Sequence, residues 1–361
     1  MSVLKKLPLA TDGGIFINNM ESTLDRHWFH YHANPERSGA IDGLVDGELI
    51  RSQFLGDYSS LDRLHKLVNQ LIQTKPEIIS SHLIAAQVNA ARHHFKEAQD
   101  HLNQAKMLGA KGQAIYRTQL SIDQALGKNL ERVLTQRLQF AEDSHAIEEL
   151  IPLGALFADL GRHDEAKEVY LKALMSYQNL SPLGLAWACF QLGFLWGEVV
   201  EDTDLEKAAY WYSKAVGYLP LYTHAVVHLA EIHLENRDYD QARRLLNSVI
   251  ESGDPEVHWR MSELYAIEGR LQESANELEA ARLMYEDLLL RHELAFADHA
   301  AEFYLGSGNN PNKALNLSLV NLKNRTTVRA YELAIEAAQA ANEPALLKEL
   351  SFKLAETRST K

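Results

Sequence analysis

The chain has 361 residues, 46% of them hydrophobic and 24% charged, with 36 Lys and Arg against 49 Asp and Glu and a formal net charge of −13. That balance excludes nucleic-acid binding through the whole surface, because phosphate contact needs a basic face. It suits a basic or apolar partner better than an acidic one. The single cysteine, Cys189, excludes a disulfide framework within the chain and a cysteine-rich zinc site, and reads as a small buried thiol rather than a nucleophile.

In chain order, Lys5 and Lys6 precede an apolar stretch that Pro8, Asp12, Gly13 and Gly14 break at once. It is too short for a secretory signal, and no run approaches the 18 apolar residues of a membrane span. No membrane contact is expected, and the cytoplasm is the expected compartment. Residues 1–40 contain Gly13-Gly14, Asn18-Asn19, Pro35 and Gly39 and lack a sustained helical period. They read as an irregular arm, with a short extended piece at Ile15-Phe16-Ile17 and a short helix from Met20 to Tyr31. Gly43, Gly47 and Gly56 then punctuate a weakly helical stretch. The expected organisation is thus an arm and degenerate start over 1–56 and a helical body over 57–361.

Helical period becomes firm at Tyr58, with Leu61, Leu64, Val68 and Leu71 at helical spacing up to Pro76. Helix hairpins are expected at 78–108, 112–141, 146–179, 182–217, 222–252, 255–286, 289–324 and 327–358. Ser181-Pro182 and Asp254-Pro255 place a capping side chain before a first-turn proline, and Thr327 offers a hydroxyl cap before Val328.

The hairpins repeat a pattern. Leu153-Gly154-x-x-Phe157 is followed by Gly161, Ala166, Tyr170 and Ala173. Leu192-Gly193-x-x-Trp196 is followed by Ala208, Tyr212, Ala215 and Pro220. Leu229-Ala230 with Ala242 and Leu246, and Met261-Ser262-x-x-Tyr265 with Ser274 and Ala281, follow suit. Small residues at the second position let two helices approach closely, and large ones fill the space beside them. A period of about 34 residues means a solenoid, in which each unit buries its apolar face against its neighbours.

These residues resemble the tetratricopeptide repeat. The resemblance covers about 300 residues and is strongest from Ile147 to Arg282. The unit carrying Leu192-Gly193, Trp196-Gly197, Lys207-Ala208 and Trp211-Tyr212 is similar to the Sel-like variant with a longer internal loop. The resemblance implies an all-α, right-handed superhelical solenoid that binds other proteins and has no common enzymatic activity.

In such a fold the first helix of each hairpin lines the concave face. Register with Gly193 then projects Trp187, Phe190, Phe194, His224, Val227, Glu231, Trp259, Glu263, Asp298 and Glu302 into a groove, aromatic at its middle and acidic towards the C-terminal end. Trp187, Phe190 and Trp259 are expected to point away from the Gly193 seam. Glu198 falls on the same face, in a loop with Glu201, Asp202 and Asp204 that reads as solvated. The Lys, Asn and Arg clamp with which family members grip acidic chaperone tails is absent, since Phe190, Phe194, Val227 and Glu231 stand there.

Three histidine groups offer metal ligands: His27, His30 and His32; His224, His228 and His233 with Glu231; and His292 with His299. Uneven spacing without cysteine favours none of them, so no metal and no cofactor are expected. There is no phosphate-cradling loop and no nucleophile elbow. The expected role is a non-enzymatic adaptor binding a protein segment, basic or aromatic, in its groove. A metal-handling accessory protein and a self-assembling scaffold are the alternatives. The aromatic arm around Trp28, Phe29 and Tyr31 is expected to fold back, either capping the first hairpin, which is favoured, or entering the groove.

Overall fold

The computed structural model describes residues 7–35 and 41–359. Lys5, Lys6 and Gly39 lie outside them. Among the described residues every regular element is helical: α1 (Gly13–Ala33), α2 (Ile41–Phe54) and α3 (Ser59–Thr74) lead into a series of antiparallel hairpins. The hairpin helices are α4 (Ile79–Ala91) with α5 (Phe95–Met107) and α8 (Ile147–Asp159) with α9 (His163–Ser176), and α6 (Gln113–Ala125) and α7 (Leu130–Ser144) come between them in the chain. Next come α10 (Pro182–Phe194) with α11 (Leu205–Tyr218), and α12 (Thr223–Glu235) with α13 (Tyr239–Ser248). Then follow α14 (Pro255–Ile267), α15 (Leu271–Leu305), α16 (Pro311–Asn324), α17 (Val328–Ala340) and α18 (Pro344–Ser359). The expected all-α chain of repeat hairpins is what the protein builds. No helix among the described residues is long and apolar enough to cross a membrane.

The chain divides into two compact units, Met1–Asp57 with Leu134–Leu264, and Tyr58–Val133 with Tyr265–Lys361. In the first, the repeat pattern has a direct steric cause. A Cβ on Gly154 would stand 2.4 Å from the Tyr170 ring, and one on Gly193 would stand 2.6 Å from the Tyr212 ring. The tyrosine of the second helix therefore occupies the volume that a side chain on the first would need. Ala166, Ala208 and Ala242 are fully buried at the facing positions. The expected caps form: Ser181 Oγ accepts from Leu183 N at 3.4 Å and Asp254 Oδ1 from Glu256 N at 3.0 Å.

The N-terminal segment departs from its reading. Instead of an irregular arm, it forms the helical pair α1 and α2. Asp12 Oδ1 accepts the Ile15 N–H at 3.0 Å and caps α1, which puts Gly13-Gly14 in the first turn rather than in a break. Gly43 and Gly47 lie where the two helices meet. A Cβ would be 2.6 Å from the His27 ring at the first and 2.8 Å from Leu24 Cδ1 at the second. Glycines that look like breakers in sequence are thus close-approach residues between two helices. Across the pair, Trp28 Nε1 donates to the buried Glu48 Oε1 at 2.7 Å and Arg51 pairs with Glu21.

This segment packs along one edge of its own unit. Thr11 N donates to Leu180 O at 2.8 Å, Tyr218 Oη to Pro8 O at 2.7 Å, and Gly253 N to Gly56 O at 2.8 Å. Leu180 and Gly253 lie on the connections after α9 and α13, and Tyr218 is the last residue of α11. Ile17 and Phe54 join the core formed by Leu150, Ile151, Leu185 and Tyr222. Where a cap on the first hairpin is the favoured expectation, the segment is seen to fold back as a strap along its own unit.

In the second unit α15 is one helix interrupted at His292, whose φ of −144° and ψ of 47° are not helical. The expected gap between hairpins near residue 287 is therefore a kink five residues later, with no loop. The α4–α5 turn docks there. His93, at φ 57°, donates from Nδ1 to Leu294 O at 3.1 Å and accepts at its carbonyl from Asn324 Nδ2 at 2.9 Å.

Candidate functional site

Eight of the ten projected groove residues belong to the first unit, on α10, α12 and α14. They form two adjoining groups. The first is aromatic. Phe190 lies 6.2 Å, centroid to centroid, from Phe194, 5.1 Å from Tyr222, 5.8 Å from His228 and 6.4 Å from His224. Tyr212 stacks on His228 at 5.2 Å with planes 7° apart. Phe54 of α2 lies 4.9 Å from Tyr222, so the aromatic run continues into the N-terminal segment. Trp187, Phe190 and Phe194 are half-buried and the first two pack against the core that contains Ile17 and Phe54.

The second group is ionic and is organised by Arg260, which sequence reading missed. Its guanidinium meets Glu231 Oε1 at 2.8 Å, Glu256 Oε1 at 3.2 Å and Glu263 Oε2 at 3.2 Å. It also lies 4.0 Å over the Trp259 ring. The spacing Glu256, Arg260, Glu263 on one helix is the signal that would have found it, since residues three and four apart are neighbours.

Two projected residues prove to be core. Val227 is 1% exposed and Trp259 is 7% exposed. Trp259 is expected to point away from the Gly193 seam; it is buried, with its Nε1 donating to Glu263 Oε1 at 2.7 Å one turn along α14 and Arg260 over its ring. Asp298 and Glu302 belong to the second unit. There Asp298 lies 3.5 Å from Arg325 and Glu302 lies 3.3 Å from Arg329. Burial raises the Asp298 carboxyl, but His299, Arg325 and His93 outweigh it and hold it at about 2.

The histidines of α12 separate by partner. His224 Nδ1 stands 3.7 Å from Asp254, and His233 Nδ1 stands 3.4 Å from Asp238. His228 Nδ1 stands 3.8 Å from Glu198 Oε1 and 3.7 Å from Glu231 Oε2. Glu198 reaches it because α10 runs on into a π-helical turn, Leu195–Val199. That turn inserts an extra residue and re-aims the side chains after it, as such turns frequently do at functional sites. Burial lowers the His228 pKa, but Glu231, Glu256 and Glu198 outweigh it, so the net shift is upwards. In the arm, His32 stacks on Trp28 at 5.4 Å and the His27 ring covers Gly43.

Residues 199–260 match the family model described as tetratricopeptide repeat. No curated protein matches the chain in sequence. Among solved structures, the crystal structure of MamA aligns at 18% identity over 46% of this chain and 95% of that one, with a TM-score of 0.38. The Cut9–Hcn1 hetero-tetramer of the APC/C aligns at 13% identity over 94% of this chain, with a TM-score of 0.46; the match spans 64% of that longer chain. A tetratricopeptide repeat protein from Parabacteroides merdae aligns at 12% identity over 74% and 93% of the two chains, with a TM-score of 0.40.

Proposed function

We propose that this chain, which carries tetratricopeptide repeats, is a non-enzymatic adaptor that holds an apolar helical segment of a partner protein against α10 and α12. The observation that carries the reading is the run Tyr222, Phe190, Phe194 and His228, in which Phe190 and Phe194 keep part of their surface open. Large apolar side chains grouped on an open face are costly unless something covers them. The same hairpins already accept apolar helical residues, Ile17 and Phe54, from the chain's own α1 and α2. A partner with that chemistry suits the surface better than a basic one. Glu231 and Glu263 both contact Arg260, Asp298 lies beside Arg325 and Glu302 beside Arg329, so each projected carboxylate already faces a guanidinium of the chain and the row does not select a basic segment.

A photo-crosslinking residue in place of Phe194 tests this in the native cell. The expected product is one heterotypic adduct, mapped by mass spectrometry to an amphipathic helix and abolished by Phe190→Ala. Adducts confined to copies of this chain would favour a self-assembling scaffold, and adducts insensitive to Phe190→Ala would refute the aromatic surface.

A further inference from the structure

We propose that Glu198, His228 and Glu231 form a binding site for one divalent transition-metal ion, of which zinc is the probe of choice. Among the described residues this group brings one imidazole nitrogen and two carboxylate oxygens within 4.8 Å of one another. The two distances from His228 Nδ1, 3.7 and 3.8 Å, are too long for hydrogen bonds. They are close to ligand spacing instead. Donors held about 2.0–2.2 Å from one zinc at tetrahedral angles stand roughly 3.3–3.6 Å apart, so a small inward movement closes the shell.

Three further observations support the site. His228 Nδ1 is buried and makes no hydrogen bond, although two carboxylates flank it. A buried polar atom of this kind calls for a ligand or ion. The imidazole is held by its faces, stacked on Tyr212 and beside Phe190, so it is aimed without spending Nδ1 on a protein partner. Glu231 is held from behind: Arg260 takes Oε1, which leaves Oε2 towards His228. This is the outer-shell support that orients a metal-binding carboxylate.

Charge favours a cation as well. Glu231, Glu256 and Glu263 gather around the guanidinium of Arg260, and Glu198 and Glu231 flank His228, so the ion would enter an acidic neighbourhood. A ligand set of one imidazole and two carboxylates, with water completing the shell, suits zinc, manganese or iron(II) and not calcium or magnesium, which take oxygen alone. The ion would tie the π-turn after α10 to α12 and so fix the edge of the aromatic surface. The site does not depend on the adaptor reading.

The test is calorimetric titration of the full chain, stripped with a chelator, with zinc chloride alone at pH 7.5. One saturable equivalent is expected. Glu198→Gln should weaken it by at least about tenfold, the smallest loss typical even of outer-shell partners. Glu198 is exposed, so this variant leaves the fold intact, which circular dichroism checks. His228→Gln should abolish binding, whereas the triple variant His27→Ala, His30→Ala, His32→Ala should retain it. Absence of saturable binding, or binding undiminished in Glu198→Gln, would overturn the site. Raising the proton concentration should weaken binding, because the proton and the metal compete for His228 Nδ1.

Discussion

Gly193 and Gly217 are both helical glycines, and they carry opposite expectations. A Cβ on Gly193 falls 2.6 Å from the Tyr212 ring, while one on Gly217 meets nothing within 4 Å. Gly193→Ala should therefore destabilise by about 1–3 kcal/mol through overpacking, and Gly193→Leu by more. Gly217→Ala, at an exposed position near the end of α11, should stabilise by about 0.5 kcal/mol by restricting the unfolded chain. Chemical denaturation of the two variants checks both signs at once. The first glycine was legible in the sequence, because Leu192-Gly193-x-x-Trp196 states its role through its repeats. Trp259 was not. Its position in the period suits a groove, and only the structure shows Arg260 lying over its ring and leaving it 7% exposed.

At the scale of elements, the junction of the α4–α5 turn with the kink in α15 is built on neutral histidines. Arg92 Nε donates to His292 Nδ1 at 3.4 Å, and His292 Nε2 stands 3.0 Å from Asp62 Oδ1. Burial pushes His292 down to about 4; Asp62 works against this, and Arg92 and Arg291 add to it. Burial likewise pushes His93 down to about 4, with Arg325 and His299 adding to it and Asp298 and the Leu294 carbonyl opposing. The sign follows from linkage. Between roughly pH 6.5 and 4 the unfolded chain binds protons that the folded junction refuses, so stability is full above that window and is lost as pH falls through it. Each group contributes up to about 1.4 kcal/mol per pH unit. His228 has the opposite sign: its folded pKa is raised, so its contribution is present at low pH and lost as pH rises through that value. Hydrogen exchange at pH 7 and pH 5, corrected for intrinsic rates, should show protection falling at 90–97 and 288–298 but not along α12. Equal loss in both places would mean that the histidines of the junction do not govern it. The hairpins themselves were legible, because period, proline and cap signals agree at most of their ends. The junction was not, because nothing local marks His93 and His292, 199 positions apart in the sequence, as neighbours.

For the chain as a whole, the first 57 residues pose the sharpest question, since they lie far in sequence from what they cover. The sequence pointed to Trp28, Phe29 and Tyr31 as the residues that must pack elsewhere or stay exposed; Tyr31 is buried, Phe29 is 71% exposed, and the cover is made by Ile17 and Phe54 instead. Sequence alone could not say where, because that depends on long-range fit. A Cβ on Gly13 would stand 2.3 Å from Tyr218 O and 2.5 Å from Pro220 Cδ, so the helix start touches the α11–α12 connection backbone to backbone. At the other end Phe54 is seated on Tyr222 and Gly56 bonds to Gly253. The segment is therefore part of its unit's core, not an appendage. Deleting residues 1–57 should lower the melting temperature and uncover Leu150, Ile151, Leu185 and Tyr222, which promotes association detectable by light scattering. Gly13→Leu should weaken the docking of α1 while α2 stays seated through Phe54, giving a smaller loss. Phe54→Ala removes a buried aromatic and should cost about 3–5 kcal/mol on its own. A deletion variant that melts at the parental temperature and stays at its parental size would show that these contacts add nothing to the fold. In that case the aromatic run from Phe54 to His228 would lie open in the working protein.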